Sequence, residues 1–319
     1  MVLFVLVSEP RHHHIVPRFH LKRFANERGQ VKVVARDDFR KIFVTSVDDI
    51  LAQRDFYTVD TDGESSQDVE KMLSAIEGEC AEVTRLLLEG VFPPAEENRG
   101  RVAAFLALQW VRGWGMRRDM EHFLGHMIKM RTVNTTRASL RNFFRETEHR
   151  EASDEEIEDL IAIARNPAAY TIKVNQGVPV GMMLKMFLQL APLVLNRKWQ
   201  LLRAREGAFV TSDAPVSLWT SPENLVAFGY GFATADELVM ALDRRYALVC
   251  AHDAPSGETI REVGREHVRE INKRTASWCS RYIIHHPDDT PLDGVDIPPS
   301  RPAFTVTPSE PFRIVPDDA

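Results

Sequence analysis

Three consecutive histidines, His12, His13 and His14, run into Ile15-Val16-Pro17 and then into a basic segment, Arg18 to Phe24, that carries a fourth, His20. Imidazole ligates transition metals and moves protons near neutral pH, because its pKa lies at about 6.5. Adjacent residues of a strand point to opposite faces, so His13 and His14 reach one centre only from a turn or bulge. The pair therefore suits two jobs, one ring at a metal and the other acting as base or substrate contact. The competing reading is an exposed, partly buried or tag-like histidine cluster, and its exposed form is weakened by Pro17, Phe19, Leu21 and Phe24, which suit anchoring the segment to a core. Arg18, in the same segment, is a candidate contact for a polar ligand.

A metal needs further ligands, and carboxylates are the natural source. Glu70 and Glu77 are seven residues apart on one expected helix, and so share a face beside the apolar positions Leu73, Ile76 and Cys80. Gln109 and Arg112 stand at i and i+3 on the next helix, and a glutamine inside an apolar turn needs partners, in the core or at a site. Thr211-Ser212-Asp213 ends a strand, where it forms either a local turn or a carboxylate positioned to ligate a metal or orient a histidine. His122 and His126 have i, i+4 metal spacing but no glutamate follows His122, and Gly229-Tyr230-Gly231 lacks a strand-turn-helix setting.

The elements that must hold these groups read as an α+β chain. VKVVAR (31–36) and KIFVT (41–45) look like a hairpin, with a third strand in 54–60. Helical periodicity runs from Ser65 to Gly90, over about 97–130, over 137–145 and 153–165, and through the apolar stretch 179–195, expected to be the most buried. KWQLLRA and GAFVTS read as one hairpin about Arg205-Glu206-Gly207, and 237–242 with 246–251 as another. An amphipathic helix over 261–280 and a strand at 281–286 come next. The expected organisation is one α+β domain, 1–286, with N-terminal strands in 11–60, a helical middle at about 66–195 and C-terminal antiparallel strands, then a tail (287–319) with eight prolines that wraps the surface or stays unfolded.

With 319 residues, 44% hydrophobic and 27% charged, the chain can bury a sizeable core. A formal charge of -6 argues against a wholly basic surface but allows a local one. Arg112 to Arg145 balances to +6 and Glu146 to Leu160 to -7: either two helix faces that pair with each other, or a basic wall for a polyanion such as nucleic acid. Cys80, Cys250 and Cys279 read as buried free thiols, the apolar start 1–7 as a short strand or loose end rather than a leader, and 178–195 as a buried helix rather than a membrane span. A cytoplasmic protein is the expectation.

HHIVPRFHLKRFA (13–25) resembles the opening H-H-x-V-P-x-x-x-L-x-x-F signature of a bacterial family, domain of unknown function 4238, and FVTSDAPV (209–216) is similar to its second landmark. FLALQWVRG (105–113), MALDRRYALV (240–249) and VREINKRTA (268–276) stand in the matching order, so the resemblance spans about 11–285. It implies a mixed α+β fold and singles out His13, His14, Gln109, Arg112, Ser212 and Asp213. His13 to Pro17 also resembles the first strand of HNH-type nucleases, which would make His13 a ligand and His14 the base that activates water beside a divalent ion. After His20 the next histidine is His122, so the other ligands would come from distant segments. Asp213 and Glu77 are the candidates, with Arg112 catalytic and Gln109, Arg18 and Ser212 binding. The reading is a metal-dependent phosphodiester hydrolase, nuclease-like and in bacterial conflict or phage defence. The alternative is a non-catalytic binding protein with a polar His/Asp core.

Overall fold

A computed structural model describes residues 12–54, 56–57, 59–61, 64–66, 68–175, 177–225 and 229–299. The apolar start and residues 300–319 of the proline-rich tail lie outside them. The described chain forms two compact units, one of residues 12–117 and 177–299 and one of residues 118–175.

The larger unit opens with β1 (His12–His14), the short helix α1 (Arg18–Leu21) and a 3-10 turn, Lys22–Phe24. β2 (Gln30–Ala35) and β3 (Ile42–Ser46) then pair antiparallel as the expected hairpin. The next strand is β4 (Ala52–Arg54), which pairs with β1 and not with the hairpin, so the strand expected over 54–60 is broken at Phe56-Tyr57. β5 (Val59–Thr61) and β6 (Glu64–Ser66) make a small ribbon before α2 (Asp68–Leu88). Gly90, at φ +90°, ends that helical stretch where left-handed backbone suits glycine.

The helix expected over 97–130 is two. α3 (Glu96–Val111) stops at Arg112, and α4 (Trp114–Val133) restarts after Gly113, whose Cα lies so near the Asp213 carbonyl that a Cβ would sit 3.4 Å from it. α3 is the most buried helix, with Phe105, Leu106 and Leu108 fully inside. Truncating any of these to alanine would cost about 2–5 kcal/mol.

The smaller unit holds most of α4, α5 (Arg137–Thr147) and α6 (Asp154–Ala164). Thr136 and Ser139 form a reciprocal capping box on α5, and Ser153 accepts from the Glu156 N–H at the start of α6. Arg137 pairs with Glu158, Arg141 with Asp154, Arg145 with Glu151 and Arg150 with Glu148 and Glu156. The basic helix and the acidic helix thus pair with each other, over a small core of Phe144, Ile157 and Ile161. Such exposed pairs are screened by solvent and add little to stability.

Back in the larger unit, α7 (Gly177–Leu195) is long and apolar enough to cross a membrane. It packs on α3 through Val180, Met183 and Phe187 but leaves Val178 and Leu188 exposed, so the expectation that it is the most buried helix fails. β7 (Lys198–Ala204) does not pair with GAFVTS. Its neighbours are two later strands, at 246–251 and 260–263, and after Gly207, at φ +78°, the chain crosses to another sheet as β8 (Thr211–Ser212). Both edges of β7 are filled by later strands, which no local turn signal reveals.

β9 (Val216–Trp219), β10 (Glu237–Ala241) and β11 (Tyr246–Ala251) come next; the last two form the expected hairpin, whose Asp243 carboxylate accepts from the N–H groups of Arg245 and Tyr246. Residues 260–263 are a strand, β12 (Ile260–Val263), parallel to β7, so the helix expected over 261–280 starts later as α8 (Arg265–Trp278). β13 (Tyr282–His285) completes the strands. The two main sheets order as β12-β7-β11-β10-β9 and β3-β2-β13-β8. The α+β class expected from the sequence is the observed one. All three cysteines are buried and free.

Candidate functional site

β1, α1, α2 and the end of α3 enclose a cleft of about 480 Å³. His13 and His14 enter it from β1, Arg18 and Phe19 from the start of α1, Glu70, Ser74 and Glu77 from one face of α2, and Arg112 from the end of α3. The seven-residue spacing of Glu70 and Glu77 does place both along the same wall.

His13 is fixed on both sides. The Tyr57 N–H donates to its Nδ1 at 3.0 Å, the Tyr57 ring stacks on it at 5.7 Å, and its Nε2 faces Glu70 Oε2 at 3.4 Å. An Nδ1 that accepts carries no proton, so the neutral ring has its N–H on Nε2, aimed at Glu70. His14 is half-buried. Burial, then the Arg18 charge, hold its pKa below the ordinary value, against the carbonyls of Val47 and Asp48, which favour the charged ring. Its Nε2 is closed to water and has no hydrogen-bond partner among the described residues.

Arg112 is a bracket. Its Nη1 donates to Glu77 Oε1 at 2.6 Å, its Nη2 to the His14 carbonyl, and its Nε to the Tyr57 hydroxyl at 3.2 Å, while that hydroxyl donates to the Arg112 carbonyl at 3.3 Å. One buried guanidinium thus ties β1, α2 and the Tyr57 loop together. Burial raises the Tyr57 phenol above its usual pKa and keeps it a donor. Arg18 pairs with Asp48 at the half-exposed rim.

The other candidates are spent elsewhere. Asp213 is buried with Oδ1 accepting from the Ser280 N–H at 2.9 Å and Oδ2 from the Arg281 N–H at 2.7 Å; it does not line the cleft. Ser212 Oγ exchanges hydrogen bonds with the backbone of Ala214, the local turn of the simpler reading. Gln109 is buried in α3 away from the cleft lining, and neither its Oε1 nor its Nε2 has a partner among the described residues. His122 and His126 line no part of the cleft.

These residues do not fit a divalent ion. Asp213 is committed to backbone amides, Glu77 to Arg112, and His13 Nε2 carries the proton that a ligand atom must lack. Among the described residues, no three His, Cys, Asp or Glu side chains gather as a metal site would need. The helix α1 that follows β1 also leaves the HNH likeness as one of sequence alone.

The two sequence landmarks nevertheless meet, through residues outside the expected set. His20 Nε2 lies 3.0 Å from Thr211 Oγ1, with both side chains buried. A family model described as a protein of unknown function (DUF4238) matches residues 12–289. The chain belongs to the DUF4238 family. No curated protein and no solved structure matches it. In this DUF4238 protein the HHIVP and TSD landmarks are thus packing partners, whereas the cleft is built from the first landmark, α2 and Arg112. Sequence reasoning missed Tyr57, which lies in a segment read as strand and acts through its backbone N–H as much as its ring.

Two buried groups at these landmarks set opposite pH dependences. Burial, helped by the Arg23 charge, lowers His20 to about 3, so the folded state refuses a proton that the unfolded chain takes up below about pH 6.5. Its contribution is complete above that pH and is lost on acidification. Burial raises Asp213 to about 6, against the amides and the Cys279 thiol that favour its charge. The folded state then holds a proton that the unfolded chain releases above about pH 3.9, so this contribution is present in acid and is lost as pH rises to 6. Urea midpoints between pH 4 and 7 should show the stability gap between wild type and His20→Gln shrinking as pH falls. The gap between wild type and Asp213→Asn should widen.

Proposed function

We propose that the cleft is the site of a hydrolase using histidine acid–base chemistry on a small phosphodiester or similarly anionic substrate. The observation that carries this is a pair of Nε2 atoms from adjacent histidines at one cleft. One faces only a half-exposed glutamate, and the other has no partner among the described residues. Unpaired buried polar atoms cost stability and mark places where a ligand or water completes the set.

In this mechanism His14 is the base. It is held neutral, and with its own N–H turned to the Val47 and Asp48 carbonyls it keeps a lone pair. That lone pair takes a proton from the attacking water once Arg18 leaves Asp48 for the substrate and the rim opens. The protonated His14 then returns its proton to the leaving oxygen, while His13, oriented by Tyr57, stays neutral and turns its Nε2–H from Glu70 to a phosphoryl oxygen. Arg18 at the rim meets the substrate's negative charge in exchange for Asp48. Arg112 positions the His14 backbone and does not touch substrate. The arginines of α5 are already paired with Glu151 and with acidic side chains of α6, so the substrate we assign is one that enters the cleft rather than a duplex lying along 112–145.

A second reading, a non-catalytic binding protein, draws on the closed Arg112–Tyr57–Glu77 network, which is built like a core rather than like reacting groups. Assay of the purified protein on bis-p-nitrophenyl phosphate and on short DNA and RNA strands, with EDTA and then with magnesium or manganese, separates the possibilities. Turnover that survives EDTA is expected. Turnover only with added metal returns the site to the metal-dependent mechanism, and no turnover under any condition favours the binding protein.

A further inference from the structure

The edge strand of the four-stranded sheet, β3, carries Ile42, Phe43 and Val44 in succession, each 42–55% exposed. Exposed apolar edges invite another strand, and folded proteins normally charge, shorten or cover them. Ala35 N–H bonds to the Lys41 carbonyl and Val47 N–H to the Gly29 carbonyl, so the odd-numbered residues of β3 face β2. Ile42, Val44 and Ser46 therefore turn their backbone groups outward.

Two of those outward groups are already spent. Ile42 N–H donates to the Arg40 carbonyl, and the Ser46 carbonyl accepts from the N–H groups of Asp49 and Ile50. Among the described residues this leaves the Val44 N–H and carbonyl, the Ile42 carbonyl and the Ser46 N–H. An antiparallel copy of β3, turned about Val44, matches these four. Val44 meets Val44 and exchanges two bonds. Ile42 meets Ser46, so its carbonyl takes the Ser46 N–H, and the two spent groups face each other. Moving the axis to Phe43 instead sets Ile42 against Val44 and leaves the Val44 carbonyl facing the spent Ile42 N–H.

The side chains agree with the axis at Val44. Phe43 falls opposite Thr45, an aromatic against a β-branched residue. Arg40 falls opposite Asp48 just past both ends of the ladder, so opposite charges meet twice. Arg40 now pairs with Asp38 and Asp48 with Arg18, and both Arg40 and Asp48 are exposed enough to take a second partner. We propose that β3 is a self-association edge: two copies of the chain pair β3 with β3 about a two-fold axis at Val44, joining their sheets into one of eight strands. The ladder is short beside the about 800 Å² per partner of a stable interface, so association in the micromolar range is expected.

Sedimentation equilibrium of the full chain from about 5 to 500 µM tests this, beside amide exchange at Val44. Wild type should pass from monomer to dimer, with the Val44 N–H protected only at high concentration. Val44→Pro removes two symmetry-related bonds without touching the ladder to β2, and should weaken the dimer about 10-fold with β11 amides unchanged. Val44→Lys should weaken it too. Arg40→Glu should weaken it, and Arg40→Glu with Asp48→Lys should restore it, as this register alone requires. A wild type that stays monomeric overturns the proposal, whether its Val44 N–H is exposed or is protected at every concentration by the same chain. A dimer indifferent to both Val44 variants, or a double charge swap no better than Arg40→Glu, also overturns it.

Discussion

Replacing Arg112 by methionine is expected to destabilise the protein by about 3–5 kcal/mol, because it removes one partner of a buried ion pair and leaves the rest in place. Methionine fills much of the same space, so the loss is of bonds more than of packing. Glu77, three-quarters buried, would lose the cation it pairs with, the His14 carbonyl its donor, and the Tyr57 hydroxyl a donor beside its ring. Lysine should not rescue, since one ammonium cannot reach the carboxylate, the carbonyl and the phenol in the planar arrangement that the guanidinium uses. Tyr57→Phe, which removes one hydroxyl from the same network, should cost only about 1 kcal/mol. Urea unfolding of the three variants checks the order. An Arg112→Met protein about as stable as wild type would show that the bracket holds nothing together.

The second large effect is on chemistry. His14→Ala is expected to lower hydrolysis by about 10²–10⁴-fold, the range for a positioned proton-transfer group, with little change in stability. The His14 ring is half-buried, and its Nε2 has no hydrogen-bond partner among the described residues to lose. Arg112 bonds to the backbone carbonyl of this residue, so the bracket survives truncation of the ring. His20→Ala should do the reverse, since that ring is fully buried against Thr211, Phe24 and Phe105. A normally folded His14→Ala protein with full wild-type turnover would remove the base from the mechanism.

Much of this arrangement is legible in the chain. The hairpins at 30–46 and 237–251 arise from β-branched runs about tight turns, and the helix starts at Thr136 and Ser153 from side chains that cap locally. These are short-range effects. The pairing of β7 with β11 and β12, and the jump of Thr211-Ser212 to another sheet, depend on strands roughly 40 to 70 residues away and leave no local mark. The same holds for the site. Residue types brought His13, His14, Glu77, Arg18 and Arg112 forward, and all five line one cleft. Asp213 and Ser212 carry the right chemistry too, yet their bonds go to backbone amides and a turn. Spacing cannot say whether a buried carboxylate faces a cleft or caps its own loop.

Two adjacent imidazoles held in different states for different tasks are the centre of the proposed chemistry. Nitrogen-15 NMR of histidine-labelled protein at pH 7 reads both directly. His13 should appear as the neutral tautomer protonated on Nε2, because its Nδ1 accepts from Tyr57, and His14 should be neutral and titrate below its ordinary range. His13 protonated on Nδ1, or a His14 ring still charged at pH 7, would contradict this division of tasks.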